Sequence, residues 1–186
     1  PELMSQSQQQ IAAYLEDLKS WEQNPDAYAK NRTLTERINT RFYDMIFSFV
    51  TNHLKAAPVY ATQEIVINRG GPDMELTSFL NEKHTLIPEG LLFKVNLKDR
   101  LPESKDSQIL TRGLADGTLK FEDDDVVKKK VFPVYLTMLT NRGRFLAMQN
   151  QHEKAVEYFR QALTLDANYT PAKTLLNTSL EALRRR

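Results

Sequence analysis

All six glycines of this 186-residue chain fall between Gly70 and Gly143. Glycine adopts left-handed backbone without strain and weakens a helix interior by about 1 kcal/mol. A glycine-bearing middle between two glycine-free arms therefore predicts helix, then mixed structure, then helix. The length fits one domain or slightly more, on a prior of about 150 residues each. With 41% hydrophobic and 26% charged residues and a mean hydropathy of -0.50, the composition is that of a folded, water-exposed chain. The most apolar stretch, Met45 to Val50, is far short of the roughly 20 residues of a membrane-spanning helix. A formal charge of +1 excludes a general nucleic-acid-binding role. The absence of cysteine excludes disulfides, thiolate metal sites and cysteine nucleophiles, and leaves the redox compartment open. No charged-then-apolar leader opens the chain, so a signal or membrane segment is expected only outside it.

The first arm is periodic. Ile11, Tyr14, Leu15, Leu18 and Trp21 follow the i, i+3, i+4, i+7 rule and predict one helix with a core-facing stripe. Asn24-Pro25-Asp26 should end it in a turn. Thr33-x-x-Glu36 has the capping-box pattern, and Leu34, Ile38, Phe42, Met45, Ile46 and Phe49 continue it as a stripe. A second helix is expected from about Leu34 to Leu54, central to the core near Phe47 to Val50.

In the middle, Pro58 opens Val59-Tyr60-Ala61-Thr62, which reads as a strand, with Ile65-Val66-Ile67 as an extension or edge. Asn68 to Pro72 predicts a loop, and Asp73 could cap a short helix through Leu80. Pro88-Glu89-Gly90 should turn into a second strand, Leu91 to Val95. Strand, short helix and strand together predict a right-handed crossover with parallel strands. Lys98 to Lys130 reads as a linker with one or two helical turns.

The tail differs in kind. Leu136 to Tyr169 spans 34 residues, the length of one tetratricopeptide repeat (TPR). Aligned there, Gly143, Ala155, Phe159 and Ala162 stand at the small, small, aromatic and small signature positions. Gly143 and Ala155 would let two antiparallel helices approach closely while Phe159 fills the gap. Leu139 replaces the usual tryptophan and Ala167 the usual proline, and Gln149-Asn150-Gln151 replaces a glycine-containing turn, a backbone that asparagine tolerates. Pro171 to Leu183 predicts a third helix capping the pair, because one repeat cannot bury its own face.

Three stretches taken together are similar to one larger family. "PELMSQSQQQIAAYLEDL", the pair "PVYAT" (Pro58 to Thr62) and "LIPEGLLFKV" (with Pro88 to Val95), and the appended TPR resemble the soluble C-terminal region of bacterial protein O-mannosyltransferase-type membrane glycosyltransferases. The resemblance covers nearly the whole chain. It implies a location outside the cytoplasm, after a membrane-embedded portion that precedes Pro1. It also implies that the catalytic acid and the sugar-donor site belong to that portion, so no catalytic residue is carried over.

Candidate chemistry in the chain itself is sparse. His53, His84 and His152 stand at no metal-ligand spacing, and no metal or cofactor is expected. Glu122 to Asp125 could attract a cation, but Lys128-Lys129-Lys130 follows and predicts a self-neutralised surface segment. Asn68 to Pro72 lacks the phosphate-loop pattern, and no nucleophile elbow surrounds a serine. Arg184 to Arg186 reads as a basic helix end. The one plausible binding site is the TPR groove, facing Thr137, Thr140, Asn141, Arg144 and Ala147. Thr140 and Arg144 stand where a carboxylate clamp needs lysine and asparagine, so a chaperone-type clamp is not expected. The tail from Val134 carries 8 basic and 4 acidic residues, and the preceding chain 17 and 20. These opposite signs favour docking of the repeat on its own middle.

The expected fold is therefore mainly α with a small β-sheet, an α+β chain in three parts. These are a helical arm and small α/β core with a short βαβ-like middle (1–97), a linker (98–133), and a TPR hairpin with its capping helix (134–186). The expected function is a non-catalytic accessory domain that binds protein or peptide through the TPR. It would be attached to a membrane glycosyltransferase on the extracytoplasmic side and bind no nucleic acid. A free-standing TPR adaptor, which could be cytoplasmic, is the alternative. A small enzyme with its site at the strand ends, near Thr62 to Asn68 and Val95 to Asp99, is a third reading.

Overall fold

The computed structural model describes residues 2–66, 80–98, 109–122 and 124–185. The chain is mostly helical with one small antiparallel sheet, the mainly-α α+β class expected. It divides into two compact units. One comprises the chain up to Val59 together with residues ending at His84, and the other runs from Tyr60 and again from Thr85 onward. Most of the sheet thus groups with the C-terminal helices, only the first residues of two strands, Val59 and His84, falling with the N-terminal arm.

The first unit contains α1 (Glu2–Gln23), α2 (Pro25–Lys30) and α3 (Arg32–His53). Asn24 does end α1, but its side chain also accepts from the Ala27 amide, and Pro25 opens the six-residue α2 where only a turn was expected. The α3 cap is Asn31, whose side chain accepts from the Thr33 amide, so the Thr33 capping box does not form. Glu36 instead pairs with Arg32 at 2.6 Å.

The expected core stripe of α1 is only partly used. Asp17 is buried and faces α3, where Arg37 and Arg41 reach its two oxygens at 2.9 and 3.0 Å. Arg41 also donates to the Ala13 carbonyl at 2.9 Å. Satisfying this buried carboxylate rotates the helix. Tyr14 meets Phe42, with ring centroids 5.6 Å apart, while Ile11, Leu15 and Trp21 are exposed. On α3, Tyr43 and Val50 are buried but Phe49 is exposed, so only part of the Phe47 to Val50 stretch is core.

In the second unit, β1 (Val59–Ala61) leads into a single turn, α4 (Gln63–Val66). Two longer strands follow, β2 (His84–Glu89) and β3 (Leu92–Leu97). The order is β1-β3-β2 and the pairing is antiparallel, which replaces the expected parallel crossover. Gly90, at φ 61, closes the β2–β3 hairpin, and Leu91 beside it keeps negative φ, the signature of a type II′ turn. β2 is an additional strand. Its Pro88 is tolerated because β2 lies at the sheet edge, where a missing amide costs no ladder bond. The expected Asn68 to Pro72 loop and the Asp73 helix start lie outside the described residues.

The C-terminal layer is α5 (Phe132–Met148), α6 (His152–Leu165) and α7 (Thr170–Arg184). Asn150, at φ 60, takes the left-handed position between α5 and α6. The Gln151 amide donates to the Leu146 carbonyl and the Asn150 amide to Ala147, both at 3.0 Å, which is a Schellman termination. Leu139, Ala162 and Ala172 form one buried cluster, and Leu146, Ala155 and Phe159 a second. A Cβ added to Gly143 would lie 2.5 Å from Phe159 Cε1, so the ring occupies the space that a side chain would need. Arg142, also buried, donates to the Pro88 carbonyl at 3.1 Å and ties the sheet edge to α5.

On an open helix surface Gly→Ala stabilises by about 1 kcal/mol. Here, Gly143→Ala is expected to destabilise by about 2 kcal/mol through overpacking. Adding Phe159→Leu should recover part of the loss non-additively, as read by thermal unfolding. An increase in Tm for Gly143→Ala alone would contradict the packing described.

Candidate protein-interaction site

The expected groove residues lie on one side of α5 but do not form an open site together. Thr140 is 5% exposed, and its Oγ1, like the Asn141 Nδ2, is shielded and makes no hydrogen bond among the described residues. Thr137 and Ala147 are half-buried, and Arg144 is exposed. A ligand lying along this face would reach Arg144 but not Thr140. The signature residues Gly143, Ala155, Phe159 and Ala162 are all buried within the helical layer.

One surface feature among the described residues was not expected. Residues 109–122 and 124–131, read from sequence as part of a linker, form a loop and a helical lead-in that frame a cavity of about 410 Å³. Leu110, Leu114, Leu119, Val127, Val131, Phe132 and Tyr135 supply its apolar wall, with Arg112 at the rim. Its size falls within the roughly 300–1,000 Å³ of ligand pockets. Leu110, Leu119, Val127 and Val131 remain exposed, and so does the adjacent Val126.

Two local devices shape the cavity. Gly113 and Gly117, both at φ 71, close a loop in which the Leu119 amide donates to the Gly113 carbonyl at 2.8 Å. A Cβ on Gly113 would also lie 2.9 Å from Leu119 Cβ, so both backbone and space require glycine there. On the other wall, Val127–Val131 is a π-helical turn leading into α5. Pro133 accounts for it. Proline has no amide to give the carbonyl four residues earlier and its ring crowds that carbonyl, so the chain widens just before it.

The charges around the cavity are unevenly spent. Asp116 accepts from the Thr118 amide and hydroxyl at 2.9 and 2.6 Å, and Asp125 accepts from the Val127 amide at 2.7 Å. Asp124 pairs with Lys129 at 2.7 Å. Arg112 and Lys130 have no acidic partner among the described residues. Asp116 and Asp125 are turned to their own backbone segments and keep their charge, while the Arg112 guanidinium is left without a carboxylate among the described residues. The sequence signal was present but aperiodic: apolar residues scattered among charges and glycines match neither the helix nor the strand period.

The remaining candidates are dispersed. His53 donates to the Phe49 carbonyl at 2.8 Å and stacks on its ring, His84 is buried at the start of β2, and His152 opens α6. Among the described residues no three histidine or acidic side chains gather as a metal site, and no helix is long and apolar enough to cross a membrane. The antiparallel pairing puts the carboxyl ends of β1 and β3 at opposite ends of the sheet, so the expected strand-end pocket has no geometric basis. On the sheet, partial burial and the Glu89 carboxylate, 3.3 Å away, hold the Tyr60 phenol above its ordinary 10.0. Comparison with protein-family models, curated proteins and solved structures gave no match.

Asp116 provides a pH test of the loop. The Thr118 hydroxyl first, and its amide second, hold the carboxyl below its ordinary 3.8. A lowered folded-state value means that the stabilisation is fully present above 3.8 and lost as pH falls through the lower value. The Thr118 amide shift, followed by NMR, should therefore titrate with a midpoint below 3.8, and Asp116→Asn should abolish the transition. A midpoint at or above the ordinary value would contradict the loop geometry.

Proposed function

We propose that this chain is a non-catalytic accessory domain that binds protein through its C-terminal unit. We read it as the extracytoplasmic tail of a membrane-embedded glycosyltransferase, where it holds an acceptor or partner polypeptide. The observation that carries the binding reading is the solvent-open apolar cavity. Exposed apolar surface of this kind on a rigid scaffold commonly marks an interaction site.

The TPR reading is supported by the interlock of Gly143 with Phe159, by the full burial of Ala155 and Ala162, and by the left-handed Asn150 in the connecting turn. The glycosyltransferase reading is supported by where its two short motifs fall. Pro58 to Thr62 contains β1, while Pro88 to Val95 spans the β2–β3 hairpin, and β1 lies next to β3. Binding is expected to involve the cavity rim more than the α5 face, because Thr140 is covered there.

Site-specific photo-crosslinking in cells tests this. A photoreactive residue at Leu119 should give a discrete polypeptide adduct in the membrane fraction, and one at exposed Lys173 on α7 should not. The same adduct in the soluble fraction would favour the free-standing adaptor. No adduct specific to Leu119 would contradict protein binding at this site.

A further inference from the structure

We propose that the cavity between the Gly113–Leu119 loop and the lead-in to α5 receives an apolar peptide segment carrying a carboxylate next to its anchoring side chain. This rests on the protein-binding reading of the same site and assigns the chemistry of the partner. Leu114, Leu119, Val127 and Val131 take the apolar side chain, and the Arg112 guanidinium takes the carboxylate.

Charge complementarity carries the choice of occupant. Three of the four described acids near the cavity walls in sequence are held by local partners, Glu122 being the exception. Asp116 holds Thr118, Asp125 caps Val127 and Asp124 pairs with Lys129. Arg112 lines the cavity, is exposed, and has no acidic partner among the described residues. A planar guanidinium at an apolar rim suits a carboxylate, which it can grip with two parallel hydrogen bonds. The cavity is concave, which suits an inserted side chain better than a flat lipid surface. Its wall is also pre-shaped. The Gly113 carbonyl already binds the Leu119 amide, so little ordering is needed on binding.

The test uses the purified 186-residue chain and short fluorescent peptides. One peptide carries a leucine pair beside an aspartate, and two others carry asparagine or lysine in place of the aspartate. Fluorescence anisotropy should show the aspartate peptide binding about tenfold more tightly than either. Arg112→Glu, at an exposed position that leaves the fold intact by circular dichroism, should reverse the order in favour of the lysine peptide. Leu119→Asp should abolish binding of all three. Equal affinity for the three peptides would overturn the proposal, as would binding of phosphatidylglycerol vesicles with no peptide bound. If peptide preference fails while the Leu119 crosslink persists, the carboxylate chemistry falls and protein binding stands. If both fail, the binding reading itself falls.

Discussion

Where α5 crosses α6, the Phe159 ring lies in the space that a side chain on residue 143 would fill. This close approach is the constraint on which the C-terminal unit depends. It lets Leu146 and Ala155 bury together, and it brings α6 close enough for Leu139, Ala162 and Ala172 to form a second cluster with α7. The neighbouring residue, Arg142, then sits buried with its guanidinium on the Pro88 carbonyl. A buried cation of this kind is tolerated only where its donors are satisfied. It also lies 5.7 and 6.0 Å from the ring centroids of Phe145 and Tyr158, which offsets part of its desolvation.

From this centre the cavity follows. α5 is anchored along its buried side, and its N-terminal end carries the Pro133 discontinuity and the π-helical turn before it. That turn presents Val127 and Val131 to a cavity whose opposite wall is a glycine-closed loop. The site therefore combines a rigid helix, a local break in its ladder and a preformed loop. Breaks of this kind in helices recur at functional positions because they redirect side chains without unfolding the element.

Much of this was legible in the residues. The helical arms, the 34-residue hairpin spacing, the fit of glycine to aromatic and the left-handed asparagine all depend on local backbone preference or on periodicity. What was not legible depends on partners distant in sequence. The α1 stripe promised a core contact for Ile11 and Leu15, but periodicity cannot see that Asp17 would find Arg37 and Arg41 on α3. Pro88 argued against a strand, although an edge position makes it harmless. The parallel crossover failed for a related reason, since the Gly90 turn joins adjacent strands directly. The cavity was missed because its apolar residues follow no period, whereas the exposed Asp124–Lys129 pair is the self-neutralised surface segment that the acidic and basic runs predicted.

The packing of Gly143 against Phe159 can be observed directly in solution by NMR. A glycine seated against an aromatic ring should show Hα resonances displaced by the ring current, with strong nuclear Overhauser effects to the Phe159 ring protons. The account predicts both for Gly143. Hα shifts at ordinary glycine positions, with no Overhauser contact to Phe159, would contradict the close helix approach and the C-terminal architecture built on it.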